Sequence, residues 1–252
     1  MCGDPYAGFS GRHDLGCGPG DLIGPGQAGF FRALFAEHGV RRVHDCACGT
    51  GRHVALFQSL GCQVSGSDLS MSMLARARKK LRAAAPTGEL LQADYRHLPI
   101  WSDGPFDAVV CLGAIGYMRG ESEFLCAFRS MARVLRSGGI LILTVALTDR
   151  QWRERPRFLL AGSTPELSRV FVIDYLERSA RYHVLDIVHG AGTAELKVWS
   201  AELHVLLRDE QERLLRAAGF DCIDFFGGYD REPYDMGTSD RLITVARRSR
   251  GG

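Results

Sequence analysis

Val43-His44-Asp45-Cys46-Ala47-Cys48-Gly49-Thr50-Gly51 is the stretch that decides the fold. A short apolar strand, residues 42–46, leads into it, and a helix of residues 52–59 leaves it. Glycines at such a junction let the backbone turn tightly and let a ligand approach without a Cβ in the way. The first turn of the helix that follows presents free N–H groups. Before this unit, Phe30/Leu34 and Phe31/Phe35 recur four residues apart and predict a helix over 27–38, closed by Gly39.

After it, the alternation of strand and helix continues. Strands are expected at 63–68, 89–93, 106–112 and 140–146. Helices are expected at 70–85, capped by Ser70, and at 122–135, ended by Ser137-Gly138-Gly139. The run Phe106-Asp107-Ala108-Val109-Val110-Cys111-Leu112 reads as a strand buried on both faces. Such alternation implies right-handed βαβ units on a parallel sheet. The rhythm breaks after Thr148. Residues 149–168 are charged and carry prolines, and β-rich stretches at 169–175, 180–188 and 194–207 predict an antiparallel insert. A helix at 209–218 and strands at 222–226 and 242–246 restore the alternation. The expected organisation is an arm or lid (1–26), a ligand-binding α/β core (27–148), a β-rich insert serving as lid or dimer surface (149–207), and a completion of the core sheet (208–252).

The turn departs from the dinucleotide pattern G-x-G-x-x-G. Val54 stands where helix–strand packing would want a third glycine, and Asp45, just before the turn, would repel a pyrophosphate. A carboxylate there suits the ammonium of an amino-acid-bearing ligand. Asp68 ends the second strand, where a carboxylate accepts both hydroxyls of a ribose, with Leu69 and Met73 as apolar neighbours for an adenine. Asp94 follows the third strand in Gln92-Ala93-Asp94-Tyr95 and is placed to accept an adenine amino group. Three carboxylates at successive strand ends converge on the crevice of an open α/β sheet.

These residues resemble the first motif and following acidic positions of the class I S-adenosylmethionine-dependent methyltransferases, with Ala47 in place of the first glycine. The resemblance covers about 27–148 and the end of the chain. Within that superfamily the sequence is similar to two small-molecule N-methyltransferase groups. The glycine and sarcosine enzymes share the approach His38–Val43 and the run Phe106–Gly113. The nucleotide-amino-sugar enzymes share Cys48-Gly49-Thr50-Gly51-Arg52-His53 and Ile115-Gly116-Tyr117. The resemblance implies an α/β, doubly wound, mostly parallel Rossmann-like sheet with a β-rich insert, and S-adenosylmethionine as cofactor. The expected cofactor-binding residues are Asp45, Ala47, Gly49, Gly51, Asp68, Leu69, Met73, Ala93, Asp94, Tyr95 and Leu112. The arginine that the glycine enzymes carry before the first helix aligns with Ile23, and their His-Arg-Asn run after the fifth strand is Val145-Ala146-Leu147-Thr148 here. The acceptor therefore stays open.

The expected reaction is methyl transfer to a small-molecule acceptor, with an amine favoured because a neutral amine needs positioning more than a base. Tyr117 (after the fourth strand), His53 (opening the helix after the turn) and Tyr6 (in the arm) are the candidate catalytic residues; Arg150, Tyr229 and Tyr234 are secondary candidates for the acceptor pocket. Trp101, Trp152 and Trp199 read as core or lid residues. O- or C-methylation, a non-catalytic adenosyl-ligand module and a nicotinamide oxidoreductase are the alternatives.

Composition bounds the rest. Thirty-one basic residues against 29 acidic ones give a net charge of +2, so no global charge marks the chain for nucleic acid. No apolar run has the roughly 18–20 residues of a membrane span, and Met1-Cys2-Gly3-Asp4-Pro5 does not start a signal peptide. The expected location is the cytoplasm, with a homodimer as one assembly the insert allows. The eight cysteines read as reduced and mostly buried, and the lone Cys46-Ala47-Cys48 pair is not read as a metal site.

Overall fold

The computed structural model describes residues 4, 6–14, 25–82, 89–102, 104–190 and 192–250. Its central sheet is built from β1 (Arg42–Asp45), β2 (Gln63–Asp68), β3 (Leu90–Gln92), β4 (Phe106–Leu112), β5 (Leu135–Thr144), β10 (Phe220–Phe226) and β11 (Ile243–Arg248), in the order β10-β11-β5-β4-β1-β2-β3. β1 pairs in parallel with both β2 and β4, with Val43 beside Val64 on one side and Ala108 on the other. Only β11 runs the other way, antiparallel to both β5 and β10. The strand order reverses between β1 and β4, so the crevice of this doubly wound sheet opens at their carboxyl ends.

Strand residues alternate between two apolar layers because successive side chains point to opposite faces. Val43, Val64, Ala108, Val110, Ile140 and Ile142 meet α1 (Pro25–Glu37), α2 (Arg52–Ser59) and α3 (Met71–Leu81) through Phe31, Phe35, Phe57 and Leu74. Val109, Cys111, Leu141 and Leu143 meet α4 (Glu121–Val134) and α6 (Arg208–Ala217) through Phe124, Phe128, Met131 and Leu215. The apolar stripes read from the sequence are the ones buried here.

The described elements differ from the expectation in three places. β5 starts directly at Leu135, so Ser137-Gly138-Gly139 does not separate helix from strand. Its pairing with β4 slips between Phe106 and Ala108, and Gly138 takes a φ of 71°. The insert has a helix and a strand that the charged stretch 149–168 concealed. α5 (Asp149–Glu154) is opened by a capping box between Thr148 and Gln151, and β6 (Phe158–Ser163) pairs with β7 (Leu167–Tyr175). β6 escapes a period-two reading because its register slips at Leu160/Gly162. With β8 (Ser179–Gly190) and β9 (Thr193–His204), the insert forms an antiparallel four-stranded sheet, β6-β7-β8-β9. The helix expected over 70–85 is described only to Arg82; 83–85 lie outside the described residues, as do Cys2 and all of 15–24, Cys17 and Ile23 among them. Among the other cysteines, Cys222 is exposed rather than buried. Among the described residues no helix is long and apolar enough to cross a membrane.

Ile173, Ala180, Tyr182 and Leu203 pack against Leu147 and Val205, and the Tyr182 hydroxyl donates to the Ala146 carbonyl at 3.1 Å. These contacts set the insert over the carboxyl ends of β4 and β5.

Candidate active site

The floor of the site is the turn between β1 and α2. Gly49 has φ 52°, in the left-handed region that favours glycine, and a Cβ there would meet nothing within 4 Å. The space above it belongs to a cavity of about 1210 Å³. Gly51 also needs its glycine, at φ 79°, but for another reason: a Cβ would stand 3.1 Å from both Ala77 Cβ and Leu81 Cδ1. It lets α3 approach the turn and does not line the cavity, where a cofactor contact was expected. This close packing is the task that the sequence left without a third glycine.

Asp68 holds the turn from the side. One carboxylate oxygen accepts the Gly49 N–H and the other the Ser70 N–H, both at 2.8 Å. Burial nevertheless lifts its pKa above the usual carboxylate range, against the pull of those two N–H groups. A half-dry carboxylate that keeps free lone pairs beside an open glycine is a natural acceptor for hydroxyl donors. Leu69 and Met73 line the same cavity, the first exposed and the second buried, together with Ala47, Tyr95 and Leu112. Tyr95 spends its hydroxyl on the Ala114 carbonyl at 2.9 Å and presents its ring.

Three expected contacts are placed differently. Asp45 is only 1% exposed and lies beneath the cavity rather than in it. It accepts the Ala47 N–H at 3.3 Å, and burial pushes it up to about 7. The sequence cannot tell on which side of the turn that carboxylate falls. Ala93 likewise stands off the cavity wall, its N–H bound to the Asp68 carbonyl at 3.2 Å. Asp94 reaches the cavity, but both its oxygens take N–H groups of Arg96, the shortest at 2.6 Å. Against its burial, these bonds hold it below the usual range and occupy much of the acceptor capacity expected for an adenine amino group.

The roof comes from the arm and the insert. Tyr6 and Tyr117 come together: their rings meet edge to face at 6.0 Å. Burial pushes Tyr117 up to about 12 and raises Tyr6 well above the usual phenol value. His53 also lines the cavity, stacked on Phe57, with burial lowering it to about 3. Its Nε2 lies 3.2 Å from the amide nitrogen of Gln27, which donates to the Tyr229 hydroxyl at 2.7 Å. Of the secondary candidates, Tyr229 lines the cavity. Arg150 is taken up by Glu154 and Asp240, and Tyr234 by Asp149 at 2.6 Å. Phe9, His13, Arg52, Phe171 and Trp199 line the cavity too. Of these, Trp199 reads from the sequence as a core or lid residue and Arg52 belongs to the motif shared with the amino-sugar enzymes; no periodicity or motif marks Phe9, His13 or Phe171.

A methyltransferase domain model matches residues 43–139. A glycine/sarcosine N-methyltransferase of Parasynechococcus marenigrum is 32% identical over 229 residues, covering 88% of this chain and 77% of that protein. The chain belongs to the class I S-adenosylmethionine-dependent methyltransferases. A second glycine/sarcosine N-methyltransferase, from Aphanothece halophytica, is 28% identical over 87% of this chain and 80% of its own length. The fold of this methyltransferase is shared with an amino pentose methyltransferase of Micromonospora echinaspora solved with S-adenosylmethionine bound. The TM-score is 0.71 at 24% identity, covering 88% of this chain and 90% of that one. S-adenosylmethionine is thus the cofactor of this enzyme, and the open glycine and the half-dry carboxylate of Asp68 suit it.

Proposed function

We propose that this methyltransferase acts on the nitrogen of a small-molecule amine. The observation that carries the reading is the pairing of one continuous cavity with groups that are poor bases at neutral pH. The cavity runs from Gly49 and Asp68 to Tyr117 under the insert. At its acceptor end Tyr117 and Tyr6 hold their protons, while the neutral His53 binds a proton too weakly to drive a transfer. Such a site suits a nucleophile that brings its own lone pair, for which orientation supplies most of the acceleration. The names of the glycine/sarcosine relatives support nitrogen as the target.

When bound, S-adenosylmethionine supplies an electrophilic methyl group. Asp68 accepts the ribose hydroxyls, Leu69 and Met73 flank the adenine, and Ala47 and Gly49 let the amino-acid end come close. Asp94, Tyr95 and Leu112 complete the wall. Tyr117 and Tyr6 orient the acceptor. The arm of 1–26 and the insert of 149–207 serve as lid over the core of 27–148, which 208–252 completes. A screen of amines, alcohols and activated carbon acids, with products weighed by mass spectrometry, tests the reading. N-methylated product is expected. Methylation only at oxygen or carbon overturns the amine assignment, and tight S-adenosylhomocysteine binding with no turnover of any acceptor points to a binding module.

A further inference from the structure

The arm crosses the cavity as a strap, residues 6–14 with Asp4, and its two edges are fastened by different chemistry. On the insert side sits a charge cluster closed to solvent. Arg169 of β7 is 3% exposed and Asp186 of β8 is fully buried. Arg169 Nε and Nη2 reach the two oxygens of Asp186 at 2.6 and 3.0 Å. The same guanidinium donates to the carbonyls of Arg12 at 2.7 Å and His13 at 3.2 Å, while Arg12 Nε donates to Asp186 at 2.8 Å. Phe9 stacks on Trp199 at 4.6 Å and 9°, with the Arg169 guanidinium 5.0 Å from the Phe9 ring.

On the core side the fastenings are wetter. Asp14 takes the Thr50 hydroxyl at 2.7 Å and Lys80 Nζ at 2.5 Å, with the side chains of Asp14 and Lys80 32% and 40% exposed. Asp4 takes the Ser70 hydroxyl and the Ser72 N–H, both at 2.8 Å, and Arg76 reaches Ser10 at 3.2 Å. The exposed Asp14–Lys80 pair is of a kind that is weak and screened by salt, although Thr50, Ser70 and Ser10 on this edge are themselves buried. Removing one partner of a buried pair leaves an uncompensated charge and is strongly unfavourable. The two edges therefore differ in their ionic fastening, a buried pair on the insert side and an exposed one on the core side.

We propose that Arg169, held by Asp186, is a positioning residue that clamps the strap to the four-stranded sheet, so that the two move as one body and the cavity opens along the strap's core edge. A buried ion pair adds little net stability over a well-packed apolar pair. Here its hydrogen bonds to two strap carbonyls give it a use, because they set the strap that carries Tyr6 over Tyr117. The proposal rests on the cavity being the S-adenosylmethionine site.

Stopped-flow fluorescence of S-adenosylhomocysteine release tests it. Arg169→Met is expected to speed release about tenfold or more, with the association rate constant changed less than release, because the closed state is lost rather than the binding groups. Arg169→Lys keeps the charge but not the fork and is expected to fall between the two. Lys80→Ala is expected to speed release about threefold at low salt and to abolish its salt dependence. Release from folded Arg169→Met within twofold of the parent overturns the clamp, as does a larger effect from Lys80→Ala than from Arg169→Met. If Arg169→Met does not fold, Arg12→Met takes its place: faster release supports the clamp and unchanged release overturns it. Calorimetry on the parent separates the two readings, since a parent that binds no S-adenosylhomocysteine refutes the cofactor site itself.

Discussion

The floor and the roof of the cavity are built on opposite principles. The floor is local: β1, the turn and α2 follow one another within residues 42–59, and Asp68 at the end of the neighbouring strand closes it. The roof is assembled from segments far apart in the chain. Arg12 meets Asp186, Tyr6 meets Tyr117, and Phe9 stacks on Trp199. In the proposed reading, cofactor recognition rests mainly on backbone and strand ends, while closure and acceptor contact rest on pairs of side chains that can change without disturbing the sheet. Function grafted onto a scaffold in this way lets one fold serve many acceptors.

The largest expected effect breaks the floor. Asp68→Ala leaves the Gly49 and Ser70 N–H groups without their acceptor and removes the proposed ribose contact. Losing a buried hydrogen-bonding partner costs about 1 to 3 kcal/mol, and S-adenosylhomocysteine affinity is expected to fall by about that much in calorimetry. A loss below threefold would move the cofactor off this carboxylate.

The next effect separates Asp45 from the cavity. Its folded value near 7 lies above the unfolded value of 3.8, so the folded chain holds its proton more tightly. The stability it contributes is complete below about pH 4 and is lost as pH rises through 7. Asp45→Asn keeps the acceptor for the Ala47 N–H and removes the buried charge. It is expected to raise stability to urea by on the order of 2 kcal/mol at pH 8 and to have little effect at pH 4. Equal effects at both pH values, or a large loss of cofactor affinity, would place Asp45 in contact with the ligand instead.

A smaller effect probes the roof. Tyr6→Phe and Tyr117→Phe each remove one end of the hydroxyl pair, and each is expected to lower kcat by about three- to tenfold. The double variant is expected to be little worse than either, with a coupling of about 0.5 to 1.5 kcal/mol. Fully additive losses would mean that the two hydroxyls act separately.

The same division decided what could be read in the sequence. The alternating strands and helices of 27–148 and the glycine turn were legible because their periodicities lie within short windows. Asp68, Leu69, Met73 and Tyr117 were placed at the cavity for that reason, as consequences of strand-end position. Three features were not legible. The side of the turn on which Asp45 falls is not legible, because a strand-end carboxylate can take either and only the packed core decides which. Gly51 was assigned to the ligand because the approach of α3 through Ala77 and Leu81 is a tertiary fact. β6 was hidden by its irregular register at Gly162 and by the charged residues around it. The strap clamp lay beyond any local pattern, since a polar arm and an alternating strand give no sign that Arg12 and Asp186 will meet.

Isothermal titration of the parent chain with S-adenosylhomocysteine and, separately, with NAD tests the central claim most directly. The account predicts saturable one-to-one binding of S-adenosylhomocysteine that Asp68→Ala weakens, and no comparable binding of NAD. Tight binding of NAD with no S-adenosylhomocysteine binding would contradict it.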